Sequence, residues 1–224
     1  MIGKIEAIRQ YSYQKLNHEY TGHDFFHSER VAKLAEKLAE GSNVSLPIIL
    51  AACYLHDVID DKVTDDPKRE RESINHFLNQ LDWPDEAITQ VLEIIDHLSF
   101  SYEVEHGKAE LSLEGKIVQD ADRLDALGAV GILRTAYYGG STQTPLHHPN
   151  ESPRTFGSKK EYRKKGTVIN HFYEKLFLLQ ASMNTVKGKA EAQRRTKIME
   201  DFLGEFYLEW DGDLPEIDKN EKKI

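Results

Sequence analysis

Three short stretches carry side chains able to act together on a cation. His27 stands alone, His56-Asp57 closes the apolar run 48–55, and Gln119-Asp120-Ala121-Asp122-Arg123-Leu124 comes much later. Imidazole nitrogens and carboxylate oxygens suit a divalent metal, and two His with two Asp fill most of its coordination shell. A polar doublet placed directly after an apolar run is costly unless compensated, so His56-Asp57 is expected to meet a charge. Adjacent helical residues diverge by about 100°, so the doublet can share one metal only near a helix end or beside a cation set between helices. The last stretch leaves its carboxylate open among Asp120, Asp122 and Asp125. Asp122 and Asp125, about 300° apart, share a stripe, whereas Asp120 points about 200° away from Asp122.

The elements that must position these groups read as helices. Val31, Leu34, Ala35 and Leu38 form an i, i+3, i+4, i+7 stripe that stops at Gly41. Ser45-Leu46-Pro47 reads as a helix start, with the apolar run after it reaching Leu55 and Ile59. Ile74, Phe77, Leu78 and Leu81 repeat the pattern, and Asp85 is placed to cap a helix carrying Ile88, Val91, Leu92, Ile95 and Leu98. Ile117, Ala121, Leu124 and Gly128 mark another helix, and 168–179 and 189–210 supply the last two. Alternating strand patterns with hairpin turns are essentially absent. The expectation is one all-α domain over 1–210, its chemistry within about 21–138 and additional C-terminal helices over about 167–210. A polar tail, 211–224, follows.

Residues 139–166 break the rhythm. They hold Gly139-Gly140, Pro145, Pro149, Pro153 and His147-His148, then the basic cluster Lys159, Lys160, Arg163, Lys164 and Lys165. A long connection of this kind is either a mobile lid over a site or disordered, and both readings stand. As a lid it would bring its lysines toward a phosphorylated substrate.

Composition narrows the function classes. The chain is 39% apolar and 30% charged, as in a soluble globular protein. No apolar run approaches the ~20 residues of a membrane helix. Met1-Ile2-Gly3-Lys4-Ile5-Glu6 has no signal-peptide character, so a cytoplasmic location without membrane partners is expected. The lone cysteine, Cys53, reads as a buried small hydrophobe. A formal charge of −9 argues against nucleic acid as the main partner, because phosphate backbones are gripped by an excess of Lys and Arg. A small phosphorylated metabolite or nucleotide stays possible, held by a cation and local basic groups. Nothing in the pattern speaks to oligomeric state. Phosphate loops, dinucleotide-binding glycine motifs and zinc Cys-x-x-Cys pairs are missing.

The order His, His-Asp, Asp resembles the HD-domain metal-dependent phosphohydrolases, in motifs spread over about 21–138. His27 before Ser28-Glu29-Arg30-Val31 resembles that superfamily's opening motif, and Ala121-Asp122-Arg123-Leu124 its last. The resemblance implies an all-α HD-type bundle and a metal set of His27, His56, Asp57 and Asp122. It also implies one divalent ion, of which Mn, Fe, Co, Ni, Zn and Mg are all open, and hydrolysis of a phosphate ester or anhydride by a metal-activated water. Asp60 and Asp61, at i+3 and i+4 from Asp57, are expected to extend its helical face. His56-Asp57-Val58-Ile59-Asp60-Asp61 resembles the His-Asp-x-x-Glu-Asp pattern of the alarmone hydrolases, so Asp60 and Asp61 are expected to handle the attacking water. His23 is read as contacting substrate or a metal ligand, and His97 as contacting substrate or capping the site. Arg123 is expected at a phosphate. His171 and Lys175, at i and i+4 on one face, offer a second phosphate clamp, with Lys175 taken as its cation. The competing class is a metal-containing fold of the same kind that binds or senses a ligand without turnover.

Overall fold

Residues 46–55 have no polar face to turn toward water, so this helix must be surrounded on every side. It is: Ile48, Ile49 and every side chain from Ala51 to Leu55 are buried. The computed structural model describes residues 2–18, 22–162 and 164–213, with no strand among them. In chain order the elements begin with α1 (Ile2–Leu16), α2 (Phe25–Ala39), α3 (Leu46–Leu55), a 3₁₀ turn (His56–Ile59), α4 (Pro67–Gln80) and α5 (Asp85–His97). They continue with α6 (Phe100–His106), α7 (Leu113–Asp125), α8 (Gly128–Ser141), α9 (Lys159–Tyr162) and α10 (Val168–His171). A π-helical segment (Phe172–Leu176), α11 (Phe177–Ala181) and α12 (Val186–Asp211) complete the described chain. Helix α3 lies at the centre, packed by α1, α2, α5 and α7, and α12 closes over α7 and α8.

The caps follow from the sequence. Asp24 accepts the His27 amide at the start of α2, Ser112 accepts that of Gly115, and Thr185 that of Gly188. Pro47 sits in the first turn of α3. Asp85 is the first residue of α5 rather than its cap, which is Pro84.

Other expectations change. Helix α1 carries no clean stripe, because its buried side includes Ser12 between Ile8 and Leu16. Helix α6 buries none of its residues, so periodicity had nothing to reveal. The helix expected over 168–179 is three pieces joined through the π segment. Asp60 and Asp61 do not prolong the helical face of Asp57, since the chain turns extended at Asp60 (φ −69°, ψ 134°). The 139–166 connection is a strap with fixed contacts. Val168 and Ile169 donate to the Pro145 and Leu146 carbonyls, and Arg154 pairs with Glu174 at 2.8 Å. Thr21, Arg163 and 214–224 of the tail lie outside the described residues.

One buried carboxylate pins α7 to the last helix. Asp120 has no accessible surface, and its oxygens accept from the Asn184 and Thr185 amides, Asn184 Nδ2 and Thr185 Oγ1, at 2.7–3.0 Å. Gly188 is required beside it, because a Cβ there would collide with Asp120 Oδ2. Replacing Asp120 by Ala strands these donors and should cost about 3 kcal/mol in urea unfolding. Unchanged stability would show that the helix junction does not depend on this carboxylate.

Candidate active site

The 3₁₀ turn after α3 is the device that lets neighbours converge. His27 lies in the first turn of α2, His56 and Asp57 in that 3₁₀ turn, and Asp122 near the end of α7. His27 Nε2 is 3.2 Å from His56 Nε2, 3.4 Å from Asp57 Oδ2 and 3.2 Å from Asp122 Oδ1. His56 Nε2 is 3.3 Å from Asp57 Oδ1 and 3.7 Å from Asp122 Oδ1. His27, His56 and Asp57 are buried, while Asp122 keeps an accessible edge.

The far nitrogens decide what this cluster wants. His56 Nδ1 is 2.8 Å from the Cys53 carbonyl, which only accepts, so Nδ1 carries the proton. His27 Nδ1 is 2.7 Å from Asp125 Oδ2. Arg30 and Arg134 also grip Asp125, at 2.8 Å each. Burial alone would raise the Asp125 carboxyl; His27, Arg30 and Arg134 outweigh it and hold it well below the usual carboxylate range. As a carboxylate it accepts from His27 Nδ1. In their neutral forms both imidazoles then turn Nε2 lone pairs toward each other and toward two carboxylates. No hydrogen lies among these four groups, an arrangement that fits a divalent cation. Without one, a proton must serve. Burial pulls the His56 imidazolium down, and Asp57 and Asp122 more than offset that, to about 9.

The cluster forms part of the wall of a cleft of about 520 Å³. Asp60, Asp61, Lys62 and Lys175 line it as well, joined by Lys164 and Lys165 from the strap and by the apolar Leu98, Phe100 and Leu176. His23 lines it too, with Nδ1 3.1 Å from Asp57 Oδ2 and Nε2 3.2 Å from Lys62 Nζ. Asp60 Oδ1 accepts the Lys62 amide at 2.8 Å, and Lys175 Nζ stands 5.5 Å over the Phe100 ring.

Two expectations change. His97 is not among the cleft-lining residues; its Nδ1 donates to the Glu93 carbonyl of its own helix, and its ring meets Tyr102 edge-on. Arg123 reaches the cleft wall but is 3% exposed, with Nη2 2.8 Å from Glu103 Oε2 and Nη1 donating to the Ser182 carbonyl. Its guanidinium is therefore buried beside a carboxylate, not extended into the cleft. The sequence reading missed Arg30 and Arg134. Arg30 follows His27 by three residues on one helix face, a spacing that marks it as a neighbour. Arg134, which donates to Asp125 and the Gly22 carbonyl, has no local signal because both partners are distant in the chain.

Known proteins share this fold. The HD domain family model matches residues 24–127. A protein of Lactobacillus plantarum is 42% identical, with a TM-score of 0.87 over 95% of this chain and 99% of that one. Bacillus subtilis YpgQ in complex with ADP superposes with a TM-score of 0.73 at 30% identity, over 96% of this chain and 100% of that one. An HD-superfamily hydrolase of Bacillus thuringiensis gives 0.73 at 36% identity, over 94% and 98%. The chain belongs to the HD-domain family.

Two outcomes follow from the cluster. Asp125→Asn frees the His27 ring to change tautomer and should weaken divalent-metal affinity about 10- to 100-fold, read as metal retained after dialysis; full retention would remove Asp125 from that role. The His56 shift also fixes the pH behaviour of metal-free protein. A raised folded pKa means the contribution to stability is full below about 6.5 and is lost as pH rises through about 9. Melting of chelator-treated protein should therefore fall across that window, while metal affinity rises because a proton no longer competes. A melting temperature flat from pH 6.5 to 9 would refute the shared-proton account.

Proposed function

We propose that this chain is a metal-dependent phosphohydrolase acting on a small phosphorylated, nucleotide-like substrate. One observation carries the reading: the His/Asp cluster opens on a cleft that Lys62, Lys164, Lys165 and Lys175 also line. An anionic substrate in that cleft would have cations along its length and the cluster at its reacting end. The YpgQ complex with ADP supports the nucleotide-like character of the ligand.

In this reading His27, His56, Asp57 and Asp122 hold one divalent cation, with His23 braced against Asp57. Bound there, the cation would supply charge neutralisation at the phosphoryl group and a more acidic water. Asp60 and Asp61, on the same wall, orient the attacking water and take its proton. Lys164 and Lys165 neutralise charge on the phosphoryl oxygens during displacement.

A panel of nucleoside phosphates and simple phosphate esters, assayed with several divalent metals, tests the function. Nucleotide binding with no turnover under any metal would assign the chain to ligand binding or sensing instead. Asp61→Asn should lower kcat on the order of 10²- to 10⁴-fold with metal content unchanged. Wild-type turnover in both Asp61→Asn and Asp60→Asn would remove the pair from water activation. Neutralising Lys164 and Lys165 should raise KM and flatten its salt dependence; an unchanged KM across a salt series would make the strap a bystander.

A further inference from the structure

Helix α10 ends at His171, and the chain then widens into the π segment before tightening again as α11. A π turn takes in an extra residue and recurs at functional sites. Here His171, Glu174, Lys175 and Leu176 all reach the cleft wall. Glu174 is ion-paired with Arg154, its two carboxylate oxygens 2.8 Å from Nε and 3.0 Å from Nη2. The basic groups that share the cleft wall with His171 are Lys175 from the π segment, Lys62 from the loop beyond Asp61, and Arg154 from the strap, itself paired with Glu174. Burial first, and then Lys175, Lys62 and Arg154, drive His171 down to about 3. The ring is thus neutral across the physiological range and keeps one N–H to donate. Positive groups gathered around an uncharged donor in an open cleft are complementary to an anion.

We propose that His171, with Lys62 and Lys175, forms a subsite for a di- or triphosphate anion of the substrate, and that the imidazole takes up a proton as that anion binds. The proposal rests on the phosphohydrolase reading and specifies where the anionic part of the substrate sits. The neutral ring first donates its N–H to a phosphate oxygen. The anion's charge offsets the surrounding cations, which removes the penalty on the imidazolium. Protonation turns the ring into a donor at both nitrogens. The proton comes from solvent and returns to it when the anion leaves, so no co-reactant is needed. A subsite of this kind grips phosphate more firmly as pH falls toward 6, against the trend expected of a metal cluster that must lose a proton.

The test uses the full, metal-loaded chain and imidodiphosphate, a diphosphate whose P–N–P link resists hydrolysis. Calorimetric titration in buffers of different ionisation enthalpy gives the protons taken up on binding. Wild-type protein should take up more than His171→Gln at about pH 6, and the variant should bind on the order of tenfold more weakly. Comparing the two cancels the titration of imidodiphosphate itself. The His171 ring signal in NMR of wild-type protein should move to its imidazolium position when imidodiphosphate is added, a readout that needs no folded variant. Equal proton uptake, or a ring signal that stays neutral in the saturated protein, would overturn the subsite. That failure is separable from failure of the function, because nucleotide turnover by wild-type protein is measured independently.

Discussion

Two imidazole lone pairs and two carboxylates face one another at 3.2–3.7 Å, and most of the structure serves to hold them there. Left to themselves these groups repel, and each would be better solvated in water. They stay because three of the four are fastened from behind. Asp125 and the Cys53 carbonyl take the outer N–H groups of His27 and His56, Arg30 and Arg134 neutralise Asp125, and His23 braces Asp57. The outer hydrogen bonds fix the tautomers, and the tautomers turn lone pairs inward. The cluster is thus charged in advance for a cation, and its strain in the absence of one appears as the raised pKa of His56.

This constraint explains the architecture around it. A doublet of adjacent residues converges with His27 and Asp122 only if the helix tightens, and the 3₁₀ turn at His56–Ile59 provides that tightening. Fastening it requires a rigid α3, which its burial on every side supplies. Asp120 then ties α7, the bearer of Asp122, to the start of α12. The stripe that carries ligand chemistry and the opposite side that carries structural hydrogen bonds belong to one helix. A shift of α7 at one end would therefore be felt at the other.

How much of this was legible in the sequence depended on how local each interaction is. Residue type and order put His27, His56 and Asp57 with one of Asp120, Asp122 and Asp125, and the 100° step set Asp120 apart from the other two; the choice of Asp122 came from the resemblance to the HD superfamily. Arg134 and Arg154 could not be read this way, since the carboxylates they serve lie 9 and 20 residues off across breaks in helicity. His97 had the right type and interval, but a carbonyl on its own helix captured its Nδ1. Arg123 stood beside a ligand position, and burial next to Glu103 gave it a structural partner that no spacing announces. The strap over 139–166 looked free because glycine and proline leave no period. Its order comes from pairing with elements that follow it.

The same contrast separates the two ends of the cleft. At the metal end the unpaired charge is negative and buried, so the protein supplies acceptors and waits for a cation. At the π segment Lys62, Lys175 and the Arg154–Glu174 pair line the cleft. Under the proposed function, a substrate with linked phosphates would answer both at once: its oxygens would meet the lysines while its reacting phosphorus lay near the acidic wall. Under that reading the formal charge of −9 would disfavour extended polyanions, while a compact one would still meet local cations.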